Sequence, residues 1–248
     1  MQKPKKIIAL VPMRHHSQRV PGKNYRKLAD KPLFHHILET LNSVKEITQV
    51  VVDTDSPIIL EDLSKHFPDV LSLPRPQHLR ADEIPMNEIL LYDTSQITGN
   101  LYLQTHSTNP LLRPETISGA IRALLENYPT YDSLHSVTRW QTRLWDQQRQ
   151  PINHDPAVLL QTQDLPPVYE ENSCIYLFTR ENLVTRQNRI GERPMLYEIE
   201  ASEAWDIDEE LDFLIVDTLL SHQNTHTAQG SLTAASPIIP PVDNQEDS

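Results

Sequence analysis

Short apolar runs alternate with amphipathic segments along this chain, and that alternation restricts the available folds more than any other feature. Lys6–Pro12 (KIIALVP) and Gln49–Asp55 (QVVVDTD) are rich in β-branched residues, the pattern of strands covered on both faces. Between them, Lys31–Val44 places Leu33, Ile37, Leu38 and Leu41 at helical spacing, with Pro32 suited to the first turn. The rhythm continues with a helix over Ser56–His66, a short strand near Val70–Leu73, a loop over Leu73–Pro85 and a helix over Met86–Gln96. A strand over Asn100–His106 and a helix from Pro114 follow, then a strand over Asp132–Thr138. Asn172–Asn182 reads as strand then helix, Met195–Glu200 as a strand, and a last helix starts at about Asp208 with Leu211, Leu214, Ile215 and Leu219 on one face. This order specifies the α/β class, with a mostly parallel central sheet and helices on both faces.

The 248 residues suffice for one large domain, read here as residues 1–222. Within it, residues 139–167 accumulate Gln, Arg and Pro without a clean period and read as an excursion used in oligomerisation. Residues 223–248 are polar and Pro-rich, the composition of a disordered tail. No apolar run approaches the roughly 18 residues of a membrane span, and "IIALVP" is too short for a signal-peptide core. Cys174 is the only cysteine, which excludes a disulfide framework and a Cys-based zinc site. A cytoplasmic location is expected.

The net charge of −12 argues against a nucleic-acid-binding surface, but its distribution is uneven. Residues 1–31 hold nine Lys or Arg against Asp30 alone, for +8, while the rest holds 13 basic and 33 acidic residues, for −20. Arg14, Arg19, Lys23 and their neighbours follow a strand, and a loop at the carboxyl edge of a parallel sheet is where nucleotides bind. The loop lacks both the dinucleotide glycine fingerprint and the Walker pattern. Arg14, Ser17, Arg19, Lys23 and Asn24 nevertheless offer the donors for a triphosphate.

Six segments, in order, resemble the cytidylyltransferases that activate sialic and related ulosonic acids. "VPMRHHSQRVPGKN" (residues 11–24) is similar to the family's Ala-Arg, two small residues, Ser-Lys, then Pro-x-Lys-Asn. "VVDTD" (51–55), "RPQHLRAD" (75–82) and "LYLQTHSTNPLLR" (101–113) follow at fitting spacing. "LPPVYEENSCIYLF" (165–178) resembles Leu-Pro-x-x-Tyr-x-x-Asn-Gly-Ala-Ile-Tyr, and "WDIDEELDF" (205–213) resembles Asp-Ile-Asp-x-x-x-Asp-Phe.

The resemblance implies a Rossmann-like nucleotidyltransferase fold, a homodimer, and transfer of CMP from CTP to a nine-carbon or related 2-keto-3-deoxy sugar acid with Mg²⁺. It implies that Lys23 and Arg14 contact phosphate and act in catalysis. Ser17, Asn24, Arg75 and Gln104 match nucleotide-side positions, Gln104 and Asn172 sugar-side positions, and Asp206 and Asp208 the metal carboxylates. Two carboxylates suit Mg²⁺, which takes one or two with phosphate oxygens. Departures are His15 and His16 for the small residues, Gln18 for the Lys, "QTHSTNP" for the Pro-Thr-Ser-Pro turn, and Ser173 for the Gly. The Asp that CMP-KDO synthetases carry in that turn is absent, which favours the sialic type. Two other readings stay open: a catalytically weak nucleotide- or sugar-binding homologue, favoured by Gln18 and the two histidines, and a nucleotidyltransferase using another base.

The remaining candidates read as structural. His15-His16 and His35-His36 are sequence neighbours that point apart, with no Cys or carboxylate at a ligand spacing. Trp140 and Trp145 read as packing or dimer contacts, and "DIDE" also fits a helix N-cap with Glu209 three residues after Asp206.

Overall fold

The computed structural model describes residues 6–226. From the N-terminus, β1 (Ile7–Met13) leads through a long loop to a two-stranded ribbon, β2 (Lys27–Leu28) and β3 (Lys31–Pro32), and then to α1 (Leu33–Ser43). Next come β4 (Gln49–Thr54), α2 (Pro57–His66), β5 (Leu71–Pro74), α3 (Met86–Gln96), β6 (Leu101–Gln104) and α4 (Pro114–Asn127). The second half holds β7 (Ser133–Trp140), β8 (Val168–Phe178), α5 (Arg180–Arg186), β9 (Pro194–Glu198) and α6 (Glu210–His226). The main sheet has seven strands in the order β5-β4-β1-β6-β8-β7-β9. All run parallel except β8, which is antiparallel to both β6 and β7.

Alternation within each strand divides the core. Ile7, Ala9, Val11 and Met13 of β1 face the layer containing α1, α2 and α4, where Phe34, Ile37, Leu63, Ile117 and Ile121 meet them. Ile8 and Leu10 face the opposite layer with Leu90 of α3 and Leu183 of α5. Helices therefore cover both faces, as the alternation in sequence predicts. The chain steps from β1 outward to β4 and β5, then returns to place β6 on β1's other side. That reversal opens a crevice at the carboxyl ends of β1 and β6.

Three expectations need correction. The buried stripe of α6 is Phe213 and Val216, packed with Val20, Leu28, Leu33 and Ile207, whereas Leu211 and Leu214 are each 64% exposed. Both stripes have helical spacing, and the aromatic one wins because it docks on the basic loop, with the Arg26 guanidinium 4.3 Å from the Phe213 ring centre. Arg139 and Trp140, assigned to the excursion, instead end β7 and pair with Tyr169 and Val168 of β8, which begins at Val168 rather than Asn172. Residues 223–226, assigned to the tail, continue α6, and residues 227–248 lie outside the described part. The excursion itself carries exposed Trp145, Ile152, Val158, Leu159 and Leu160.

A buried charge cluster supports the end of β4. Arg75 Nε donates to Asp53 Oδ1 at 2.5 Å, and each side chain is 1% exposed. With every carboxylate ionised, Asp53 Oδ2 and both oxygens of Asp93 would lack a donor. A proton on Asp93 resolves this: burial and the Asp53 charge push Asp93 up to about 8, so its carboxyl donates to Asp53. The unfolded chain releases that proton near pH 4, whereas the folded protein keeps it. The contribution to stability is complete below about pH 4 and is lost as pH rises through about 8. Asp93→Asn keeps a donor and removes the titration. Its melting temperature relative to the unmodified protein should therefore climb between about pH 5 and pH 9, and a pH-independent difference would contradict the shared proton.

Candidate active site

The loop after β1 is held open by side chains that the fold brings from elsewhere. The His15 N–H donates to Asp55 Oδ1 at 2.8 Å, and the Ser17 oxygen accepts the Val20 N–H at 3.3 Å. Gly22, at φ 68, turns the chain into a short 3₁₀ segment over Lys23–Tyr25, and a Cβ there would lie 2.9 Å from the Tyr25 ring. Asn24 is buried: its amide donates to the Arg14 carbonyl at 2.8 Å and its oxygen accepts from Ser107 at 2.7 Å. These contacts tie the β1 loop to the loop after β6 and aim its cations into the crevice.

The acids missing from this loop come from two other places. Arg14 forms an ion pair with Asp82 at 2.9 Å, and the Gln18 amide donates to the other Asp82 oxygen at 2.7 Å. Arg19 reaches Asp208 at 2.8 Å and Glu209 at 3.4 Å. Lys23 donates to the Ile207 carbonyl at 2.5 Å and lies 3.4 Å from Asp208. The backbone N–H groups of Asp208 and Glu209 are accepted by Asp212 at 2.9 and 2.7 Å. Asp212 thus takes the capping role expected of the "DIDE" segment, and the Asp208 carboxylate points towards the cations.

Asp206 lies beside this junction. Its Oδ1 is buried without a partner. Burial raises its pKa, opposed by a hydrogen bond from Thr108 and reinforced by the Asp208 charge. An orphaned carboxylate oxygen near a second carboxylate, beside a cationic loop, fits a hard divalent cation.

A second half of the site surrounds Gln104. Its amide nitrogen donates to the Thr105 carbonyl and to His106 Nε2, each at 3.1 Å, and its oxygen accepts from Arg189 at 2.6 Å. The Arg189 guanidinium lies 3.5 Å from the centre of the Tyr176 ring, and the Tyr176 hydroxyl donates to Glu171. Among the described residues no carboxylate pairs with Arg189, and burial lowers its pKa. Burial, helped by the Arg189 and Lys23 charges, pushes His106 down to about 4, so its ring is neutral at physiological pH. The hydrogen bond from Ser107 to Asn24, one residue along from His106, joins the two halves.

The structure thus brings Arg14, Ser17, Lys23, Asn24, Gln104, Asp206 and Asp208 to one edge of the sheet. Arg75 stands apart, its guanidinium enclosed with Asp53. Asn172 is engaged within the sheet, accepting from Ser136 at 2.5 Å and donating to Thr138 at 3.0 Å. Ser173 adopts φ 60, a conformation glycine takes without strain, beside the register shift between β7 and β8.

A family model described as "Cytidylyltransferase" matches residues 8–230. The chain belongs to the cytidylyltransferase family. It is 26% identical over 231 residues to the CMP-N,N'-diacetyllegionaminic acid synthase of Legionella pneumophila, covering 87% of this chain and 96% of that protein. It is 24% identical over 230 residues to the N-acylneuraminate cytidylyltransferase of Escherichia coli, covering 88% of this chain and 53% of that one. The fold is shared with a CMP:2-keto-3-deoxy-manno-octonic acid synthetase solved with CTP, at a TM-score of 0.66, 15% identity, and 88% and 99% coverage. The central sheet and its helices are those of the Rossmann-like nucleotidyltransferases.

Sequence reasoning missed Asp82, His106, Arg189 and Glu203 as neighbours of the candidate site. Asp82 and His106 lie inside segments that carry the family resemblance; Arg189, in a loop between α5 and β9, had no signal. Glu203 is 3% exposed and anchors the segment leading to Asp206. It accepts from the Arg113 N–H at 2.9 Å and Thr116 at 3.0 Å at the start of α4, and pairs with the Arg113 guanidinium. Glu203→Ala leaves those donors unpaired and should cost about 1–3 kcal/mol, read as a lower urea midpoint. An unchanged midpoint would show that the segment is held without it.

Proposed function

We propose that the protein transfers the cytidylyl group of CTP to a sialic-acid-like ulosonic acid, giving the CMP-sugar and pyrophosphate. The observation that carries this reading is the meeting of Lys23 and Arg19 with Asp208, beside the orphaned Asp206 oxygen, at the carboxyl edge of β1 and β6. The names of the relatives support an acidic sugar as acceptor, and the structure adds a cation for it. Among the described residues Arg189 has no carboxylate partner, and a sugar acid brings one.

In this reading the anomeric hydroxyl oxygen forms a bond to the α-phosphorus, the bond from that phosphorus to the pyrophosphate oxygen breaks, and the hydroxyl proton is released. The chain's own work is alignment and charge neutralisation. Arg14, Arg19 and Lys23 exchange their exposed carboxylate partners for phosphate oxygens, an exchange made easy because such pairs are individually weak. Asn24 and Ser17 hold the loop in the shape that presents those cations. Gln104, with its nitrogen on Thr105 and His106 and its oxygen on Arg189, holds His106 and Arg189 in place at the border between nucleotide and sugar. Asp206 and Asp208 would hold Mg²⁺, which when bound supplies further neutralisation of the phosphates. The exposed apolar residues of the excursion support a homodimer.

Asp208→Asn separates this reading from a purely structural one. The helix is capped by Asp212, and the Asp208 pairs are partly exposed, so stability should change by less than about 1 kcal/mol. Turnover should fall, and the Mg²⁺ concentration for half-maximal rate should rise. Unchanged magnesium dependence would remove Asp208 from the metal's ligands.

A further inference from the structure

Outside the crevice, α1 and α2 pack side by side on one face of the sheet. Asp62 and His66 are one helical turn apart on α2, the i, i+4 spacing that sets two side chains on one helix face. His35, in the first turn of α1, meets them across the helix boundary. His35 Nε2 is 2.6 Å from Asp62 Oδ1, and His66 Nδ1 is 3.2 Å from the same oxygen. All three donor atoms lie within 4.8 Å of one another, and among the described residues they form the one such group of three. Sequence inspection overlooked it because the carboxylate arrives from another helix: His35 turns to Asp62 and His36 to the Leu28 carbonyl, whereas the His15 and His16 rings do meet, with centres 4.5 Å apart.

We propose that His35, Asp62 and His66 bind a divalent transition-metal cation of the zinc type. A tetrahedral ion with bonds of about 2.0–2.1 Å to imidazole nitrogen and carboxylate oxygen needs ligand atoms roughly 3.3 Å apart. The present separations need only small side-chain adjustments to reach that. Two imidazoles and one carboxylate select zinc, copper or nickel over magnesium or calcium, which prefer all-oxygen sites. The surroundings suit a bound ion. His35 is buried, its ring held edge-on to Phe34 at 4.5 Å and Phe67 at 4.8 Å, which fixes its orientation. His66 is half exposed and leaves the fourth position to water. The ion would replace the direct His35–Asp62 contact between the two helices with metal bonds, so it should act as a structural clip. It uses none of the residues assigned to the transfer reaction.

The test uses the full chain, stripped with a chelator and kept in excess Mg²⁺ so that Asp206 and Asp208 do not compete. Zinc chloride is then titrated against a colorimetric chelator, and the melting temperature is followed in parallel. The unmodified protein should take up one zinc equivalent and melt at a higher temperature with zinc, because the ion binds the folded state alone. His66→Gln, on an exposed side chain that leaves the fold intact, should lose both the equivalent and the shift. His35→Gln should do the same. Failure of the unmodified protein to bind zinc stoichiometrically in magnesium would overturn the proposal. Retention of that equivalent in His66→Gln would overturn it equally.

Discussion

Lys23 and the Ile207–Asp208 segment meet across 184 and 185 positions of chain, and the candidate site depends on that closure. A loop with Arg14, Arg19, Lys23 and Arg26 and no acid of its own repels itself. It is held in shape by apolar contacts, with Val20 and Leu28 packed on Ile207, Phe213 and Val216. Charge then follows geometry. Arg26 pairs with Glu210 at 2.6 Å, the Ala29 N–H donates to Asp217 at 2.6 Å, and Arg19 pairs with Asp208. Exposed pairs of this kind are individually weak, so packing fixes the loop while its charges stay exchangeable. A phosphate-binding site needs that combination of fixed backbone and replaceable counter-ions.

Residues at sites that resemble ligand contacts divide into two kinds of work. Arg14, Arg19 and Lys23 present charge at the crevice. Asn24, Asp55 and Ser107 hold the loops that present it, and each is engaged by a specific donor or acceptor. Arg75 and Asp53 belong to a deeper layer, a buried pair with the protonated Asp93 beneath the end of β4. Removing one member of such a pair leaves an uncompensated buried charge, so the cluster fixes where β4 ends. Beside Gln104, Arg189 and Tyr176 lock one another, and among the described residues no carboxylate pairs with Arg189.

The fold was largely legible because its strands are short, β-branched and buried on both faces, so their period could not be mistaken. α3 begins and ends at its predicted residues, Met86 and Gln96. What escaped reading is long-range. The antiparallel direction of β8 depends on its return across the sheet, which no local pattern encodes. In α6, residues 211 and 214 and residues 213 and 216 have equal claims to a buried face until the loop they dock on is known. The clustering of His35 with Asp62 and His66 needs two helices, and the burial of Arg75 needs Asp53. Within the site, the acids and cations were visible as residue types, but their pairing, Arg14 with Asp82 and Arg19 with Asp208, came only with the fold.

The reaction proposed for this crevice joins a cytidine triphosphate to an acidic sugar. Its most direct test is pyrophosphate release by the full chain, with CTP, UTP, ATP and GTP each offered against a panel of ulosonic acids that includes sialic and legionaminic acids. Release is expected with CTP, dependent on one or more of these acids and greatly reduced with the other three nucleotides. Equal release with UTP or GTP, or none with any acid in the presence of magnesium and CTP, would contradict it.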